Sequence, residues 1–231
     1  MGIILQDSTK AGSKYHHGNL KQALVDAYIE LLGNEPAEKL SLRRVAKQVG
    51  VAPTAVYNHF VDKQQLIVAV KMRCLRQFTK YLNVHSNHAV EPEDRIRSLG
   101  IAYFKFSIEH AQLFEVIVNC DIPEEYVTDE VMETSMAAEA ELRSAITALC
   151  VKHGIPASLY NEGLGAFACW SMAHGITGLA KHHLNRAACL SGRWPPEFLL
   201  QDEKTVEQSF SAMTNVLVAG LLSEARRTLD S

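Results

Sequence analysis

Residues 41 to 60 read SLRRVAKQVGVAPTAVYNHF, and they gather cationic, hydroxyl and amide side chains at the spacing of two short helices. The chemistry such a set can do is recognition of a polyanion rather than bond making. Half or more of protein–DNA hydrogen bonds go to phosphate and sugar. Tyr57, His59 and Lys63 suit that role, as does Ser41 at a helix N-terminus. Thr54, Ala55 and Asn58 project from the second helix toward base edges, where Asn can pair with adenine and Thr or Ala methyls can touch thymine. Arg43 or Arg44 could read guanine or clamp phosphate. Lys14, His16 and His17 form an arm beside the motif. The competing reading for each is an ordinary solvated surface side chain.

Other chemistries find less support. The chain has 10 histidines, but the pairs His16-His17 and His182-His183 are adjacent, and neighbours at i, i+1 do not face the same way on a helix. No His-x-x-x-His or Cys-x-x-Cys occurs, so no metal and no cofactor is expected. There is no Gly-rich phosphate loop and no nucleophile elbow. The acidic cluster Glu124, Glu125, Asp129 and Glu130 sits at a predicted helix start, where it favours the macrodipole. No enzyme activity is expected. Cys74, Cys120, Cys150, Cys169 and Cys189 are odd in number and never two residues apart, which suits reduced, structural thiols in a cytosol.

The elements that must hold the first set follow from local signals. Ser41 is a good N-cap, Val45, Ala46 and Val49 share a face, and Gly50 follows the last periodic residue. Pro53 opens the second helix, with Val56 and Phe60 inward. Leu20, Leu24, Ala27 and Leu31 mark a preceding helix. Asp62 with Gln65 forms a capping box that starts a helix running to about residue 84. Two helices joined by a short Gly-containing turn can lay the second in a DNA major groove.

This stretch resembles the TetR family of transcriptional regulators. The resemblance lies in Ser41, Arg43, Val45 and Ala46, the turn Gly50-Val51, the ending Tyr57-x-His59-Phe60, then Asp62 and Lys63, with the lead-in Tyr15 to Leu20. It covers roughly residues 14 to 82. Ala52 departs from the family pattern, which commonly has a capping, phosphate-touching Ser or Thr there. Charge agrees independently. Residues 1–81 hold 12 Lys and Arg against 6 Asp and Glu, a net +6; with −3 overall, the remainder carries −9. One end of the chain suits an anionic partner.

Beyond residue 84 the periodicity stays helical, with segments at about 93–109, 111–119, 124–153, 157–184 and 202–227, and no sustained strand alternation. The fold class expected is all-α. Residues 1–13 read as a disordered arm, 14–62 as a helix-turn-helix DNA-binding domain, 63–84 as a linking helix and 85–231 as a helical regulatory and dimerisation domain. Hydrophobic content of 47% is ample for a core. The most apolar stretch, Leu164 to Ala180, holds Ser171, His174, Thr177 and three glycines, a poor membrane span. A cytoplasmic location without membrane contact is expected.

His110-Ala111-Gln112-Leu113-Phe114 and Trp170-Ser171-Met172-Ala173-His174-Gly175 resemble a Trp-His-Gly subset of the same family. The resemblance implies a homodimer on a palindromic operator, a repressor released by a small apolar or aromatic effector. Tyr103, Phe104, Phe114, Met132, Met136, Phe167, Trp170 and His174 are the candidates to line its cavity, unless they are plain core. Family members dimerise through their last two long helices. Here Ala166, Ala173, Ile176 and Ala180, with Phe210, Met213, Leu217 and Leu221, could build that bundle. Close approach there would offset the cost of Gly163, Gly165, Gly175 and Gly178, about 1 kcal/mol each against Ala. The alternatives are an activator or ligand-independent regulator, and a helical carrier or enzyme without DNA binding.

Overall fold

The computed structural model describes residues 19–35, 39–86, 91–183 and 192–227. Its ordered elements are helices, with no strand among the described residues. They form two compact units, residues 1–66 and 67–231. The division between them falls inside a helix, Lys63–His85.

The first unit holds α1 (Leu20–Leu32), α2 (Leu42–Val49), α3 (Pro53–Tyr57) and the start of α4 (Lys63–His85). Asn19 caps α1 by accepting from the Gln22 N–H, and Ser41 caps α2 by accepting from the Arg44 N–H at 3.2 Å. Gly50 ends α2 at φ +79°, a left-handed position that suits glycine. There its N–H reaches the Ala46 carbonyl at 2.9 Å. Leu24, Leu40, Val45, Ala46, Val56, Phe60 and Leu66 are almost wholly buried. The Asp62 carboxylate accepts from the Gln65 N–H at 2.8 Å, and the Gln65 side chain accepts from the Val61 N–H at 2.8 Å. This is the reciprocal cap that starts α4.

The second unit packs α5 (Pro92–Glu109), α6 (Ala111–Asn119), α7 (Asp129–Lys152), α8 (Leu159–His183) and α9 (Glu203–Arg227) with the body of α4. The helix expected to begin at residue 124 begins instead at Asp129. Glu124–Tyr126 make a separate 3₁₀ turn, and Thr128 caps α7 by accepting from the Val131 N–H. Helices α5, α7, α8 and α9 pack against one another around Ile96, Phe106, Ile146, Leu149 and Phe210. Two contacts are too close for a larger residue. A Cβ on Gly165 would lie 2.7 Å from Ile146 Cγ2, and one on Gly100 would lie 2.9 Å from the Phe210 ring. Burial pushes the thiols of Cys74 and Cys169 up to about 12, which leaves them protonated and unreactive. Cys189 lies outside the described residues. Among the described residues no helix is long and apolar enough to cross a membrane.

Candidate nucleic-acid interface

Helices α2 and α3 meet through the Gly50 turn. Val45, Val56 and Phe60 point into the core, which fixes what is left outside. Ser41, Arg43, Lys47, Thr54, Tyr57, Asn58 and His59 are exposed. Tyr57 is 55% exposed, a large fraction for an aromatic residue beside a core. Ala55 and Lys63 are half-buried. Helix α3 has five residues and ends at Tyr57, so Asn58 is its C-cap and His59 lies in the turn beyond. The expectation that Asn58 projects from the helix itself is corrected to that extent. Ala52, with no side-chain oxygen, makes no capping bond at the start of α3.

Arg44 also departs from expectation. Its Nε and Nη2 both donate to one Glu35 carboxylate oxygen, at 2.9 and 2.7 Å. Its charge is therefore matched within the chain rather than presented outward. Lys47, not singled out in the sequence, stands exposed four residues after Arg43 on the same face of α2. That spacing was the signal available for it. Lys14, His16 and His17, and the arm 1–13, lie outside the described residues.

In the second unit, five of the eight residues expected to line a cavity are linked by ring contacts, in the order Phe114, Tyr103, His174, Trp170 and Phe167. Tyr103, Phe104 and Phe114 are buried. Tyr103 packs edge-on against Phe78 and Phe114. Its hydroxyl shares a 2.9 Å hydrogen bond with His174 Nδ1. Met132 and Met136 are each 48% exposed, and Phe167 and Trp170 are 65% and 54% exposed. A groove of about 510 Å³ lies elsewhere, between α4 and α7, with Arg76, Lys80, Val84, Thr134 and Ala137 among its walls.

The expected dimer face is likewise rearranged. Ala166, Ala173, Ile176, Ala180, Phe210 and Leu221 are buried within the single chain. Helix α8 is apolar around most of its circumference; it approaches α7 closely at Gly165, and most of its buried side chains are small, Ile176 excepted. Of that set Met213 is exposed and Leu217 half-exposed. The uncovered large apolar side chains on α8 and α9 are Leu159, Tyr160, Phe167, Trp170, Leu179, Met213 and Val216. Gly163, Gly175, Gly178 and Gly220 face open space.

Comparison with known proteins addresses the same two units. The description "Bacterial regulatory proteins, tetR family" matches residues 24–70, the span of the reading head. An HTH-type transcriptional regulator of Haemophilus influenzae is 28% identical over 124 residues, 52% of this chain and 57% of its own length. The HTH-type transcriptional regulator YobS of Bacillus subtilis is 26% identical over 149 residues, 62% of this chain and 76% of its own. The chain spans about half the length of most of the curated relatives it matches. A solved protein of unknown function from a Rhodococcus species shares the fold at a TM-score of 0.66 and 22% identity, over 90% of this chain and 98% of that one. A TetR family transcription regulator from Marinobacter aquaeolei does so at a TM-score of 0.58 and 16% identity, over 84% and 93%. The stretch from residue 24 to 70 thus fits the description of the tetR family of bacterial regulatory proteins, and the chain as a whole shares the fold of those solved structures.

Proposed function

We propose that the chain is a sequence-specific, DNA-binding transcriptional regulator that acts as a homodimer in the cytoplasm and performs no catalytic step. The observation that carries this is the exposed set on α2 and α3. Arg43 and Lys47 supply charge, and Thr54, Tyr57, Asn58 and His59 supply hydrogen-bonding groups, over a core formed by Val45, Val56 and Phe60. The cations position the protein on phosphate and the residues around α3 read base edges. Dimerisation is supported by the exposed aromatic and aliphatic side chains of α8 and α9, such as Phe167, Trp170, Met213 and Val216, since exposed apolar surface favours being covered by a partner. A two-fold pair of reading heads matches a palindromic site.

The reading is of a repressor released by a small molecule. A ligand shifts the DNA-competent population only by its differential affinity for two states. The groove between α4 and α7 is of ligand size. Its wall mixes Lys80, Glu133 and an Arg76 already paired with Glu130 with the apolar Val84 and Ala137, so an effector with a polar end suits it better than the purely apolar one first expected. The deciding measurement is duplex selection from a random-sequence library, followed by fluorescence anisotropy at several salt concentrations. A palindromic preference and a steep loss of affinity with salt are the expected result. No affinity at low salt would end the regulator reading.

A further inference from the structure

We infer that Glu35 is a positioning residue for the reading head, and that it withdraws Arg44 from the cations that meet DNA. The inference rests on the DNA-binding function proposed above. One carboxylate oxygen of Glu35 accepts two bonds from the Arg44 guanidinium, from Nε at 2.9 Å and Nη2 at 2.7 Å. Nη1 of Arg44 is directed at the Gln48 side chain, 3.4 Å away on the next turn of α2. The two charged side chains are 36% and 31% exposed, so the pair is partly shielded from solvent.

Glu35 is itself fixed. Its backbone N–H donates to the Leu31 carbonyl at 2.9 Å, in the last turn of α1. Arg44 is fixed as well, in the first turn of α2, where its N–H donates to the Ser41 cap. One ion pair therefore ties the end of α1 to the start of α2. Helix α3 follows α2 through the tight Gly50 turn, whose N–H and that of Val51 both reach the Ala46 carbonyl. Whatever sets the angle of α2 sets the angle of α3.

The geometry also divides the cations of α2. A guanidinium recognises carboxylate or phosphate through a planar fork, and an edge given to one is not free for the other. The Nε–Nη2 edge of Arg44 is given to Glu35. Arg43 and Lys47 are exposed, four residues apart, with no ion-pair partner among the described residues. The phosphate contacts of α2 fall to these two.

The test uses the full chain, the duplex it selects from a random library, and a shuffled duplex of the same length. Arg44→Ala should weaken the selected duplex about three- to fivefold, the scale of a partly exposed pair, and leave both the shuffled duplex and the salt slope unchanged. Arg44→Lys keeps the charge but loses the fork, and should behave like Arg44→Ala rather than like wild type. The swapped pair Glu35→Arg with Arg44→Glu should restore the selected duplex, with thermal unfolding confirming that each variant folds. The inference is overturned if Arg44→Ala lowers the salt slope by about 0.9 on both duplexes, because Arg44 is then a phosphate contact. It is overturned equally if Arg44→Lys matches wild type, if a folded swap fails to restore binding, or if Arg44→Ala changes nothing. A wild-type chain that selects no duplex sinks the DNA-binding function itself. A chain that selects one but ignores these substitutions keeps that function and loses only the Glu35 role.

Discussion

Two faces of this chain lie uncovered, and they are opposite in kind. On α2 and α3 the exposed groups are Ser41, Arg43, Lys47, Thr54, Asn58 and His59 around Tyr57. On α8 and α9 they include Phe167, Trp170, Met213 and Val216. Water solvates the first set well, so that face is stable alone and gains only when an anion replaces counterions. The second set costs roughly 25 cal/mol for each Å² of apolar surface left in water. A polar face can wait for its partner, whereas an apolar one favours being covered permanently. The contrast predicts that salt strips DNA from the first face and leaves a pairing at the second intact.

The largest expected effect comes from charging the apolar face. Trp170→Glu, or Val216→Asp as an independent variant, should sediment as a monomer. Its affinity for a palindromic duplex should fall on the order of a hundredfold, since the second reading head no longer binds intramolecularly. A dimer that survives both changes would place the interface elsewhere. Next, two glycines of α8 test which side of the helix is crowded. Gly165→Ala must displace Ile146 and Leu221. It should destabilise the chain by about 1 kcal/mol net, the overpacking cost less the helix-propensity gain. Gly175→Ala meets nothing within 4 Å, so it should raise the stability of the monomer by up to about 1 kcal/mol while weakening a close-packed dimer. Urea unfolding read together with sedimentation separates the two.

On the polar face, Arg43→Ala should flatten the salt dependence of DNA affinity by about 0.9 in log–log slope and weaken all duplexes alike. An unchanged slope would remove Arg43 from the phosphate contacts. The smallest effect concerns acid. Burial pushes the Glu93 carboxyl up, but hydrogen bonds from Lys152 and His153 outweigh it and hold the group at about 2, below its ordinary 4.5. Its contribution is thus present above the ordinary value and is lost as pH falls toward 2. Glu93→Gln should cost at most about 1 kcal/mol at neutral pH, after solvent screening. Urea titrations at pH 6, 4.5 and 3 should find that difference shrinking with acid.

The reading head was legible because its signals are local. The Ser41 cap, the Gly50 stop, Pro53 and the Asp62–Gln65 cap each act within four residues, and the structure places all of them. What escaped was long-range. Glu35 and Arg44 are nine positions apart, and no periodicity announces their pairing. Helix α8 is apolar nearly all round, so hydrophobicity alone could not orient it. Size suggested that Phe167 and Trp170 turn inward and Ala166, Ala173 and Ala180 outward. The reverse holds: α7 approaches closely at Gly165, and Ala166, Ala173 and Ala180 face inward there and beyond while Phe167 and Trp170 stay exposed. Met132 and Met136 mislead for a related reason, since helical spacing marks a stripe without saying whether another helix covers it.

Helix α3 is only five residues long and lacks a side-chain cap. An isolated helix of that length does not persist in water, because nucleation costs more than one turn of hydrogen bonds returns. It exists here because Val56 and Phe60 are anchored in the core on either side of its end. Local opening of this segment therefore needs far less free energy than global unfolding. Its amides should exchange with deuterium well before those of α1, and a bound duplex should slow them selectively. The segment proposed to read sequence is then easily opened, free to adjust to a groove at little cost.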